Sequence, residues 1–183
     1  MNTLIDNDIL FKGSCYGILR DLILGVCEPC DVGVLGSARF VDPKKIEKSV
    51  LNGSHELALN AFLDFLGQAT VLEPTNDEQQ LAADLELAAQ RLGVSLDSGE
   101  SQLCAILAIR LLRLLLTGDK RAIVAMERLI DHHPRLEQIT GKVMSLEQLA
   151  TTLLARNGSH KLRTAIRAEP NIDKALSNCF GST

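Results

Sequence analysis

Short apolar runs alternate along this chain with longer stretches in which apolar residues recur every three or four positions. These two periods predict strands alternating with amphipathic helices. Residues 2–5 read as a first strand that runs into Asp6. Residues 14–26 carry helical spacing that ends near Cys27-Glu-Pro-Cys30. VGVLG at 32–36 reads as a second, buried strand, and Pro43 suits the first turn of a helix with Asp42 as its N-cap. Residues 55–67 are amphipathic, with Leu57, Leu59, Phe62, Leu63 and Phe65 mostly on one side. TVL at 70–72 is a third strand.

Thr75 to Glu78 spells a capping box that opens a helix to Leu92. Asp97 to Glu100 spells another, opening a helix through Ile109. LLRLLLTG at 111–118 reads as the next buried strand, with a helix over 119–131 behind it. Lys142-Val143-Met144 is the last short strand, and Ser145, with Gln148 at the box position, caps a helix to Arg156. Asn157-Gly158 stops that helix, and two helical pieces follow at 159–168 and 170–180. The alternation implies a three-layer α/β/α fold around a parallel sheet of four to five short strands, plus a helical C-terminal tail. The division expected is a domain over 1–155 and an extension over 156–183.

Composition narrows the function classes. The chain has 183 residues and 46% hydrophobic content, which suits one domain with a full core. Aromatic residues make up only 3%, with no Trp and one Tyr, which argues against base-stacking platforms. A net charge of −4 argues against a broad electrostatic binder of nucleic acid. No apolar stretch is long enough for a membrane span, the N-terminus lacks the basic n-region of a signal peptide, and Cys104 lies in an apolar helical run. A reducing, cytoplasmic setting is the expectation.

The chemistry lies in four acids, each placed where an apolar strand gives way to a helix: Asp6, Asp42, Glu100 and Asp119. Singly, each has a bland reading as an N-cap or as a capping-box partner. Jointly, they would meet at the carboxyl edge of a parallel sheet, where open α/β folds bind ligands. Clustered carboxylates repel, and a hard divalent cation such as Mg²⁺ or Mn²⁺ relieves them. Asp8 and Asp97 are nearby reserves, and the Thr117 hydroxyl suits either an orienting role or a plain strand-end hydrogen bond.

The segment LIDNDIL resembles the opening of PIN domains, with Asp6, Asn7 and Asp8 in the motif positions. GESQLCAILAIRLLRLLLTGDKRA is similar to the middle motif of a PIN subgroup, matched by Gly99, Glu100, Thr117 and Asp119. VGVLGSARFVD matches more loosely, with Asp42 in place of the usual Glu, and Gly118 stands where many members carry Asn or Asp. GKVMSLEQLATTLL looks like the last strand and helix of that fold. The resemblance covers residues 1–155 and implies a metal-dependent ribonuclease, often a toxin paired with a small antitoxin. It implies Asp6, Glu100 and Asp119 as primary ligands of Mg²⁺ or Mn²⁺, with Asp42 completing the tetrad. RNA is then the substrate, and an antitoxin-like protein a partner.

Lys12, Lys44, Lys45, Lys48, Lys120 and Arg121 follow the acids in sequence and read either as phosphate contacts or as solvated helix faces. The tail is locally basic through Lys161, Arg163 and Arg167. The lone Cys27-x-x-Cys30 lacks the further ligands of a zinc site, and His132-His133 reads as structural. Leu-rich helices at 55–67 or 145–156 offer a homodimer seam. The competing reading is a non-catalytic interaction module on the same fold. A phosphatase-like hydrolase ranks below both, because Asp6-Asn7-Asp8 continues without the Thr or Val of a DxDx(T/V) motif and no GxxxxGK[ST] loop is present.

Overall fold

The computed structural model of the chain describes residues 1–157 and 159–180, so the helix stop expected at Gly158 lies outside the described residues. Five strands, β1 (Thr3–Ile5), β2 (Val32–Leu35), β3 (Thr70–Leu72), β4 (Leu114–Thr117) and β5 (Val143–Ser145), form one sheet. All pairings are parallel and the order is β3-β2-β1-β4-β5. The chain therefore steps outward from β1 to β3, returns to the other side of β1, and steps outward again. The reversal falls between β1 and β4, where such sheets open a crevice beyond the strand ends.

Helices cover both faces: α1 (Asn7–Cys15), α2 (Leu19–Leu24), α3 (Ala38–Lys48), α4 (His55–Leu66), α5 (Asn76–Leu92), α6 (Ser98–Ile109), α7 (Lys120–Ile130), α8 (Leu146–Asn157), α9 (Ser159–Ala168) and α10 (Lys174–Phe180). Strand alternation divides the core. Ile5, Val34 and Leu116 join one cluster with α1–α4 and α8–α10. Their strand neighbours Leu4, Leu35 and Leu115 join the other with α5–α7. Leu4, Ile5, Leu115 and Leu116 are 0% exposed, and truncating such a residue to Ala costs about 2–5 kcal/mol.

Both expected capping boxes form, at Thr75/Glu78 and at Asp97/Glu100. Ser145 and Gln148 exchange the same reciprocal pair of bonds, at 2.8 and 3.2 Å. Elsewhere the structure corrects the sequence reading. The helix expected over 14–26 is two helices, because Gly17 turns left-handed (φ 64°) and lets α2 fold back on α1. Gly13 makes the close approach possible, since a Cβ there would lie 2.9 Å from Leu19 Cδ1. Helix α1 itself starts directly after Asp6, whose extended backbone (ψ 151°) switches the chain from strand to helix.

Asp42 is not an N-cap. Helix α3 begins at Ala38, so Asp42 and Pro43 lie in its interior. The helix nucleates earlier because the Phe40 and Val41 N–H groups close on the Ser37 carbonyl. Pro43 gives up one helical N–H, and the partner carbonyl it leaves belongs to solvent-exposed Arg39. Strand β4 begins at Leu114 rather than 111. Leu111 ends α6 in the left-handed region (φ 53°), and the Leu112 N–H closes back on the Leu107 carbonyl.

On α4 the buried stripe is Ala58, Phe62 and Phe65, while Leu57 and Leu63 face outward. The leucines Leu146, Leu149 and Leu153 of α8 are consumed by the chain's own core, so of the two helices named as dimer seams only α4 keeps exposed leucines. The C-terminal segment packs into the first cluster through Leu162, Ile166 and Leu176. Buried Glu169 ties it to the α3–α4 loop by accepting from the Asn52 and Gly53 N–H groups at 2.8 and 2.6 Å. Among the described residues no helix is long and apolar enough to cross a membrane.

Candidate active site

A cleft of about 920 Å³ opens at the carboxyl edge of the sheet, over the β1/β4 reversal. Asp6, Asp8, Lys12, Glu100, Asp119, Lys120 and Arg121 all line it, together with Asp97. Sequence positions far apart thus share one wall because β1 and β4 are adjacent and in register, Ile5 beside Leu116.

Asp6 stands at the end of β1 and its N–H donates to the Leu116 carbonyl at 2.9 Å, which fixes the strand end. Its carboxylate makes no cap bond to α1. It accepts instead from the Thr117 hydroxyl at 3.0 Å. Thr117 Oγ1 also accepts from the Asp119 N–H at 3.2 Å, so this one buried hydroxyl links both acids. Asp119 caps α7 by accepting from the Arg121 N–H at 2.7 Å, and the Arg121 guanidinium clamps its second oxygen at 2.6 Å. Glu100 holds the Asp97 N–H at 2.9 Å, so it is both a capping-box partner and a wall of the cleft.

The electrostatics are those of crowded, buried acids. Burial, then the Asp8 charge, pushes Asp6 up to about 6 against the Thr117 hydrogen bond. Burial, with the charges of Asp97, Asp119 and Asp6, pushes Glu100 up to about 7. The Arg121 hydrogen bond acts oppositely on Asp119 and holds it below its ordinary value.

Asp42 lies behind the cleft and does not line it. It is 0% exposed, and neither of its carboxylate oxygens has a hydrogen-bond partner. Burial pushes it up to about 7, opposed by Lys45 and reinforced by Asp6 and Asp8. Of the expected rim cations, Lys12, Lys45, Lys120 and Arg121 line the cleft, and Lys44 and Lys48 do not. All four are ion-paired there: Lys12 with Asp8 and Asp173, Lys45 with Asp8, Lys120 with Glu147, and Arg121 with Asp119. Lys45 also stands over the Phe11 ring, 4.3 Å from its centroid.

The donor set consists of hard carboxylate oxygens, which fits Mg²⁺ or Mn²⁺ in chemistry. The unpartnered Asp42 carboxyl is a buried acceptor of that kind. The spacing is open: among the described residues no three carboxylate, imidazole or thiol groups stand close enough to hold one cation. Cys27 and Cys30 are free, with Cys30 exposed.

Sequence reasoning missed Asp173 and Glu147 as lining residues. Asp173 carries a local signal, since it caps α10 by accepting from the Leu176 N–H at 2.9 Å. Nothing local links it to Lys12. No family model matches this chain, and neither a curated protein nor a solved structure matches it. The likeness to PIN domains therefore rests on the sequence motifs alone.

Proposed function

We propose that this protein is a divalent-metal-dependent nuclease acting on RNA. One observation carries the reading: Asp6, Glu100 and Asp119 line one cleft at the reversal of a parallel sheet, with Thr117 bonded to two of them. Asp6, Glu100 and Asp119 stand too far apart to share one cation as they are placed, so they would hold Mg²⁺ or Mn²⁺ only by closing in on it. Asp42, outside the cleft lining, would complete the set through water. When bound, the metal supplies a water of lowered pKa and charge stabilisation for phosphodiester hydrolysis. The Thr117 hydroxyl holds Asp6 in place and, by donating to it, favours its ionised form. The Asp97 box fixes the backbone that carries Glu100. Lys12, Lys45, Lys120 and Arg121 provide ammonium and guanidinium donors for substrate phosphates once their ion pairs exchange.

The free cysteines suit a reducing, cytoplasmic compartment. A toxin role with an antitoxin-like partner, and a homodimer through α4, belong to the same proposal. The test is cleavage of a labelled single-stranded RNA pool with Mn²⁺, Mg²⁺ or EDTA by wild type and D6N/D119N. Metal-dependent cleavage lost in the double variant is the expected result.

A second reading, a non-catalytic interaction module, is favoured by the pairing of every cleft cation and by two exposed apolar residues in succession on α3, one of which lines the cleft. Phe40 is 70% exposed and Val41, which lines the cleft, is 47% exposed. Absence of cleavage by well-folded wild type, with a stable protein partner recovered, selects that reading.

A further inference from the structure

The segment after residue 156 reaches the cleft through Asp173 and Ala175, and among the described residues Asp173 is its one charged group there. Asp173, between α9 and α10, places Oδ2 2.6 Å from Lys12 Nζ. The second oxygen on Lys12 is Asp8 Oδ2 at 2.5 Å, one helical turn back on α1. Lys12 and Asp173 are 14% and 12% exposed, so little water screens this pair. Asp8 receives Lys45 as well, at 3.2 Å. Within this group of Lys12, Lys45, Asp8 and Asp173, two cations and two carboxylates sum to zero formal charge. An ammonium has three donors, and here two face carboxylates.

The surroundings hold the arrangement in place. Gly118 has no side chain, and a Cβ there would overlap the Asp8 carboxylate. Asp173 is held by its cap bond to the Leu176 N–H. The segment that carries it is anchored by Glu169 on the Asn52 and Gly53 N–H groups and by Ile166 and Leu176 in the core.

We propose that Asp173 sets the affinity of the cleft for a polyanionic backbone by holding Lys12 in an ion pair that a substrate phosphate must displace. The C-terminal segment is thus a working wall of the site. The inference rests on the nuclease reading for the identity of the polyanion, and on the ion-pair geometry for everything else. Each exchange of a protein carboxylate for a phosphate costs the first ion pair before it gains the second. Removing the Asp173 charge leaves Lys12 with Asp8 alone and makes this group of side chains net positive.

The test is binding of a fluorescein-labelled single-stranded 15-mer RNA, followed by anisotropy in Ca²⁺ over a salt series, with wild type, D173N, D173S, K12Q and K12Q/D173N. Asn and Ser both retain the cap on α10, so the fold is kept while the charge is lost. The expected result is about fivefold tighter binding by D173N and D173S. Their log–log salt slopes steepen by about one counterion, and D173N has no effect in the K12Q background. Equal or weaker binding by both variants, or a gain that persists without Lys12, overturns the proposal. Cleavage with Mn²⁺ on the same preparations separates the two ideas. A Lys12-dependent gain in binding with no cleavage by any variant refutes the nuclease and keeps the role of Asp173. Cleavage by wild type with unchanged binding by D173N does the reverse.

Discussion

The Thr117 hydroxyl donates to the Asp6 carboxylate at 3.0 Å, and this side-chain bond joins the ends of β1 and β4 alongside the Asp6 N–H bond to the Leu116 carbonyl. Thr117 is 1% exposed and Asp6 is pushed up to about 6, so the bond supports a charge that its surroundings resist. Thr117→Val keeps the shape and removes the donor. The Asp6 pKa then rises further, because a bond favouring the ionised form is lost. The acid limb of the pH–rate profile for RNA cleavage is expected to move to higher pH. Stability falls by about 1–2 kcal/mol in denaturant melts. A wild-type profile in this variant would sever Thr117 from the chemistry.

Asp42 makes stability depend on pH in a direction unusual for an acid. Its pKa is raised from 3.8 to about 7, so the folded protein holds that proton more tightly than the unfolded chain. The corresponding stability is fully present below about pH 4 and is lost as pH rises through 7. Asp6 and Glu100 add to the same trend, while Asp119, lowered by Arg121, opposes it. Asp42→Asn is expected to melt several degrees above wild type at pH 8 and level with it at pH 4. Added Mn²⁺ should stabilise wild type more than the variant. An identical pH profile for the two proteins would remove Asp42 as the cause.

Gly118 leaves the room that Asp8 occupies. Its φ is not left-handed, so Ala is acceptable to the backbone and only the contact matters. Gly118→Ala is expected to force Asp8 away from Lys12 and to cost about 1–3 kcal/mol, the scale of overpacking. Thermal melts of the variant, alone and combined with Asp8→Ala, measure this. The loss should shrink in the double variant, and an unchanged loss contradicts the assignment.

Leu111 closes α6 in a conformation that suits glycine, at φ 53° and 64% exposed. A left-handed non-glycine residue costs about 1–2 kcal/mol. Leu111→Gly is therefore expected to stabilise the fold by about 1 kcal/mol, read as an upward shift of the urea midpoint, with cleavage unchanged because the turn lies at the far end of β4 from the cleft.

What was legible in the sequence was local. Thr75 and Glu78, or Asp97 and Glu100, are three residues apart, and each pair contains everything its capping box needs. The strands at 32–36 and 70–72 showed themselves by short apolar runs. Where a local rule misled, a neighbour outside the window had decided. Pro43 looked like a helix start, but Ser37 had already nucleated α3 and drawn Asp42 into its interior. Leu57 and Leu63 shared the apolar character of Phe62, and only the packing of α4 on α1 left them outside.

By itself the sequence determined the two periodicities, the caps, and the placement of Asp6, Glu100 and Asp119 at element boundaries. These depend on backbone geometry over a few residues, which side-chain type controls directly. The strand order that sets Asp6 beside Thr117, the burial of Asp42 without a partner, and the meeting of Lys12 with Asp173 were decided only in the folded chain. Each depends on which surfaces pack together across long stretches of sequence. Apolar burial drives that choice without direction, so no local spacing encodes it.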